Sequence, residues 1–158
     1  MKNPTLLIPL AFKATLACLL LTMLSACSNY ALMNLQDNLQ TNVYQYNKRF
    51  DGKMMDLSAA FVSSPLRKEF LIDSNEIKEK VTFFDRSILD MQYFDGDQPV
   101  RKTPGGAEKE FNKAVVTLRY QISILPSNQL KTVILDQTWV LSEKRWMVEP
   151  DLDAFLEK

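Results

Sequence analysis

The order of hydrophobic patterns predicts an α+β domain, a long helix first and an antiparallel meander last. Three observations carry this. From Leu32 to Phe50 the apolar positions advance in alternating steps of three and four, the period of a helix with one buried stripe. From Val116 onward they fall on every second position in successive stretches, the period of half-buried strands. The chain has 158 residues, enough for one modest core, and no cysteine follows Cys27, so that core must hold without internal disulfides.

Residues 1–26 precede the domain. Lys2 and Lys13 mark a basic start, and "ATLACLLLTML" (14–24) is apolar to weakly polar throughout. As a helix it would span roughly 17 Å, against about 30 Å for a bilayer core, which fits a secretory signal better than a membrane span. It closes on Leu24-Ser25-Ala26-Cys27, which resembles the lipobox of bacterial lipoproteins at all four positions. The resemblance implies cleavage after residue 26, diacylglycerol on the Cys27 sulfur and a further acyl chain, such as palmitate, on the new amino group. Two or three chains hold a protein firmly to a membrane, at ~0.8 kcal/mol per buried methylene. In that family the residue after the cysteine influences sorting. Ser28, where aspartate would signal inner-membrane retention, points to the outer membrane, periplasmic face, ahead of the inner membrane or cell surface.

Residues 27–30 leave only a very short tether before the domain, 31–158. Leu32, Leu35, Leu39, Val43, Tyr46 and Phe50 form the helical stripe, which Met54, Leu57 and Phe61 would extend. Ser28 or Asn29 is a candidate cap, and Asp51-Gly52 is where the helix would bend or break. "SSPLRKEFLID" (63–73) reads as a second helix, with Ser64 as cap and Pro65 at the first helical position. "KVTFFDRSILDMQYF" (80–94) is β-rich and contains a bend, with Val81, Phe83, Leu89, Met91 and Tyr93 sharing one parity. "DGDQPVRKTPGGAEKE" (95–110) has no apolar period and reads as a loop.

In the meander, Val116, Leu118, Tyr120, Ile122 and Ile124 share a face, as do Val133, Leu135, Gln137, Trp139 and Leu141. "PSNQ" is the turn between them. With Leu125 opposite Leu130, Leu118 faces Gln137 and Val116 faces Trp139. Glu143-Lys144 makes the next turn, bringing Trp146 and Val148 opposite Leu141 and Trp139, and Pro150 ends the sheet before a short terminal turn or helix. The expectation is a long N-terminal helix packed on a curved antiparallel sheet of about four strands. This element order resembles the cystatin-like cone folds, including the nuclear-transport-factor-2-like group. The resemblance covers roughly residues 31–150 and implies a sheet that wraps a helix and can enclose a pocket.

Charge and residue types exclude more than they select. The chain balances 19 basic against 19 acidic residues, and losing Lys2 and Lys13 with the leader tips it to −2. Such a surface has no field for phosphates, so nucleic acid is not an expected partner. There is no histidine, which removes the usual general base near neutral pH, and acylated Cys27 could be neither nucleophile nor zinc ligand. No phosphate-binding loop or serine-nucleophile motif occurs, and no metal or cofactor is expected. Asp85, Asp90 and Asp136 are the strand carboxylates. Asp136 falls on the outward face, and Asp85 and Arg86 alternate in parity, so they read as solvated rather than paired.

Gln137 is the one polar residue whose register points inward. Two readings stand: a satisfied core amide, which is favoured, and a pocket formed by Gln137, Trp139 and Tyr120. Tyr44 lies off the helical stripe and is available to a partner. The expectation is a non-enzymatic envelope lipoprotein, anchored through Cys27, that binds another envelope protein by a sheet edge, the helix flank or the 95–110 loop. A cone-fold carrier of a small apolar ligand is the alternative, and a carboxylate-based enzyme comes after it. A filled core with an exposed apolar patch would favour the first, and a cavity of several hundred Å³ the second.

Overall fold

The computed structural model of the chain describes residues 38–100, 111–127 and 129–156. The signal segment, Cys27, the candidate caps Ser28 and Asn29, Leu32, Leu35 and most of the 95–110 loop lie outside the described residues.

The stripe folds as the spacing requires. Residues 38–51 are helical (α1), and Leu39, Val43, Tyr46 and Phe50 are all buried. Gly52 and Lys53 end the helix. Lys53 takes a left-handed conformation (φ 59°), its N–H donates to Phe50 O (3.0 Å), and Met54 N–H donates to Arg49 O (2.8 Å). This is the paired hydrogen-bond pattern that satisfies orphan carbonyls at a helix end. Gly52 is required beside it, since a Cβ there would lie 2.9 Å from Lys48 O. The stripe does not continue past this turn. Met54 and Leu57 are exposed, because the chain restarts in a new phase as α2 (Met55–Ser58) and a 3-10 turn (Ala59–Phe61), with Met55, Ala59 and Val62 buried.

The second helix, α3, runs Arg67–Lys80, starting later and ending later than expected. Ser64 and Pro65 belong to the preceding turn, closed by Leu66 N–H on Ser63 O (3.1 Å), and no side chain caps the helix. The extra turns carry a single apolar anchor, Ile77, too little to show in the hydrophobic pattern.

The sheet is open, entirely antiparallel and five-stranded, so the domain is α+β with its helices first. The strands are β1 (Val81–Asp95), β2 (Gln98–Val100), β3 (Lys113–Ile124), β4 (Lys131–Ser142) and β5 (Arg145–Glu149), in spatial order β2-β1-β3-β4-β5. The strand beyond the four expected is β2, formed by part of the stretch read as loop. It returns along Tyr93–Asp95 through a turn in which Gly96 supplies φ +58°.

Two bulges in β1, after Phe83 and after Ile88, each insert a residue and bend the strand. The two insertions cancel, so Val81, Phe83, Met91 and Tyr93 share a face as expected, and only Leu89 leaves it. The residues opposite the buried faces of Ile124, Ile122, Tyr120, Leu118, Val116 and Ala114 are Val81, Phe83, Arg86, Ile88, Met91 and Tyr93. Leu89 falls in the second bulge and is exposed, while Arg86 joins the core side. Between β3 and β4 the register differs from the expected one by two residues: Val116 faces Gln137 and Ala114 faces Trp139. A two-residue slip preserves every face, so the hydrophobic pattern is blind to it. The β4–β5 pairs, Leu141 with Trp146 and Trp139 with Val148, follow the expectation.

Aromatic rings fill the space between α1 and the sheet. Tyr46 meets Trp139 edge-on at 5.8 Å and stacks near Phe50 at 5.9 Å, and Phe83 packs against both Phe50 and Tyr120. The last element, α4 (Asp153–Leu156), lays Phe155 against these rings.

Candidate functional site

Among the described residues the inner face carries a polar cluster built by three elements. Asn47 is buried on the sheet side of α1, and Tyr120 and Gln137 approach it from β3 and β4. The Tyr120 hydroxyl donates to Asn47 Oδ1 (2.6 Å), and Gln137 Nε2 donates to the same oxygen (2.8 Å). Asn47 Nδ2 in turn donates to Gln137 Oε1 (3.1 Å) and to Val43 O (2.8 Å). Both acceptor sites and both donors of Asn47 are therefore used. Gln137 is a satisfied core amide, the favoured reading of its sequence position.

Arg86 and Asp51 extend this cluster toward solvent. Arg86 Nη1 lies 2.8 Å from Asp51 Oδ2, and only 17% of the Arg86 side chain is exposed. The parity that read Arg86 as solvated is corrected by the first bulge, which turns it inward. Burial raises the Asp51 carboxyl above the usual aspartate value, although the Arg86 guanidinium and the Gly52 amide pull the other way. Burial also pushes the Tyr120 phenol well above the ordinary tyrosine range, against the opposing pull of Arg86, and raises Tyr46 likewise. Both phenols stay protonated at neutral pH, so Tyr120 serves as a hydrogen-bond donor rather than a base.

Trp139, the third residue of the expected pocket, is fully buried, and its indole N–H has no acceptor among the described residues. Tyr120 and Gln137 thus meet through Asn47, while Trp139 meets Tyr46. Sequence reasoning missed Asn47, Asp51 and Arg86. Asn47 had a signal, since it adjoins Tyr46 on the buried side of the stripe. Arg86 had none, because a bulge cannot be read from alternation.

The strand carboxylates lie on the outer face. Asp85 sits 3.8 Å from Arg119, and Asp136 accepts from Thr117 Oγ1 at 2.6 Å. Asp90 and Asp136 flank Thr117 in one exposed row, two strand spacings or roughly 10 Å apart. Among the described residues no group of His, Cys, Asp and Glu is placed to hold a metal ion, and no helix is long and apolar enough to cross a membrane.

Several large apolar side chains of the strands remain exposed: Phe84 (62%), Ile88 (50%), Leu89 (51%) and Ile134 (60%). Phe84 and Leu89 stand at the two bulges, and Ile134 is on the outer-face parity of β4, opposite Arg119. Tyr44 is also exposed, with Lys48 Nζ 5.7 Å from its ring. The sheet edges are partly covered: β2 pairs only with Tyr93–Asp95 of β1 and β5 only with Thr138–Ser142 of β4, so among the described residues no strand lies along the outer side of the rest of β1 or of Lys131–Gln137 in β4. Val62 bridges Val148 and Ser63 N–H donates to Val148 O (3.1 Å), covering part of β5. Along β1, bulges and the inward charge of Arg86 blunt the edge. A cleft of about 550 Å³ opens between the Ser63–Arg67 turn and the outer face of β4 and β5, where Arg67 and Arg145 are balanced by Glu143 and Glu149.

No protein-family model and no curated protein matches the chain, so its family is not assigned by likeness.

Proposed function

We propose that the chain is a bacterial envelope lipoprotein, acylated on Cys27, whose domain binds another envelope protein close to the membrane, with the periplasmic face of the outer membrane as its place. The lipobox-like Leu24-Ser25-Ala26-Cys27 supports the anchor. The cone resemblance supports a helix cradled by a wrapping sheet. The observation that carries the binding reading is the set of exposed apolar residues, Phe84, Leu89 and Ile134, on a sheet whose inner side is filled by aromatic rings and a closed amide network. Contiguous exposed apolar surface marks interaction sites, whereas single exposed apolar residues are ordinary.

The test uses the native chain in its own cells. A palmitate analogue is expected to label the wild type and not Cys27→Ser, which should accumulate unprocessed. A photoreactive residue at Leu89 or Ile134 is expected to give a discrete protein adduct, and one at exposed Lys68 on α3 is not. Normal processing and membrane retention of Cys27→Ser would overturn the anchor, and equal adducts at all three positions would overturn the docking surface.

A further inference from the structure

The C-terminal element is held differently from the rest of the core. Phe155 is buried among three rings from three elements: Phe50 of α1 at 5.6 Å, Phe83 of β1 at 5.7 Å and Tyr120 of β3 at 5.3 Å. Yet the hydrogen bonds of its segment are local. Phe155 N–H donates to Leu152 O (3.0 Å), and Asp153 N–H donates to Asp151 Oδ1 (3.1 Å). Among the described residues no backbone hydrogen bond joins 151–156 to the helices or the sheet. The segment is held by its apolar side chains, chiefly Leu152 and Phe155, near the end of the chain.

We propose that α4 is a displaceable plug, and that the hollow beneath Phe155 is a binding site for a flat apolar molecule bearing an aromatic ring. Lifting Phe155 out leaves a slot walled by Phe50, Phe83 and Tyr120, whose faces and edges suit another ring. The slot's polar margin is the Tyr120 hydroxyl, already committed to Asn47, so selection rests on ring shape rather than on charge. A segment without backbone bonds to its neighbours opens at lower cost than the sheet beneath it. The plug lowers the apparent affinity of any ligand by the fraction of time it stands open. Acylation of Cys27 and a protein partner are not required for this.

N-phenyl-1-naphthylamine is the probe. Titrated into the wild-type chain, it is expected to speed amide hydrogen exchange across 152–156 while the β3 amides stay protected. Phe155→Ala, with its far-UV circular dichroism unchanged, is expected to bind the probe about tenfold more tightly. An α4 whose exchange is unmoved at saturating probe, or a folded Phe155→Ala that binds no more tightly than wild type, overturns the plug. If Phe155→Ala fails to fold, the exchange measurement on the wild type decides alone.

Discussion

Asp51 Oδ2 and Arg86 Nη1 lie 2.8 Å apart, joining the C-terminal end of α1 to the inner face of β1. The carboxylate stands where a helix disfavours negative charge, and burial weakens it further, so the guanidinium is its main support. Arg86→Met should leave Asp51 without its counter-charge and destabilise the domain by about 1–3 kcal/mol, between the limits for exposed and fully buried pairs. Asp51→Asn combined with Arg86→Met should recover much of that loss in urea unfolding. A double variant as unstable as the sum of the singles would show that the two side chains are not coupled.

The same carboxyl sets a pH dependence of defined sign. Its folded-state value is raised above 3.8, so its contribution favours folding fully below that value and is lost as pH rises through the folded midpoint. An NMR titration should place the Asp51 midpoint above 3.8. Asp51→Asn should remove this component from the stability profile in the acid range.

Arg86 also shows where the sequence stops being legible. Alternation located the strand and its bend, but one inserted residue at Phe84 reverses parity, sending Asp85 outward and Arg86 inward. The inward face of the meander was readable because Val116, Leu118, Tyr120 and Trp139 alternate without interruption. Its pairing was not, since shifting Gln137 from Leu118 to Val116 changes no face. The helix breaks at Gly52 as its residue type suggests, whereas the end of α3 was hidden by a run with Ile77 as its only apolar residue. Gln137 was recognised as an inward amide. Its partner Asn47 was not, although it adjoins Tyr46 on the buried side of the stripe, because the group that would satisfy its amide belongs to a sheet far away in sequence.

Asn47 holds three groups at once, and its loss should exceed that of either strand partner. Asn47→Ala leaves the Gln137 amide and the Tyr120 hydroxyl without their partner and should cost about 2–4 kcal/mol. Tyr120→Phe removes one donor and leaves Asn47 Oδ1 still bonded to Gln137, so about 1 kcal/mol is expected. Chemical unfolding of the two variants should therefore rank them clearly.

The Glu143-Lys144 turn offers a gain rather than a loss. Both residues have positive φ, 50° and 65°, as a two-residue hairpin of the I′ type demands, yet neither is a residue that favours it. Glu143→Asn with Lys144→Gly should relieve this and raise stability by about 1 kcal/mol, seen as a higher melting temperature with unchanged spectra. The same pair of changes should leave the β4–β5 register in place, because Trp139, Val148 and Trp146 keep their buried positions.

At the alkaline limit the two buried phenols become the weak point. Tyr46 and Tyr120 have folded-state values raised well above 10.0 by burial. Their neutral forms support the fold fully below the unfolded-state value, and that support drains away as pH climbs toward the folded values, since the unfolded chain ionises first. Unfolding should therefore set in above about pH 10, the ordinary tyrosine value. Absorbance near 295 nm should show Tyr46 and Tyr120 ionising only as circular dichroism reports loss of the fold. Tyr120→Phe should move the alkaline transition upward even though it weakens the fold at neutral pH, an opposition in sign that simple loss of packing cannot produce.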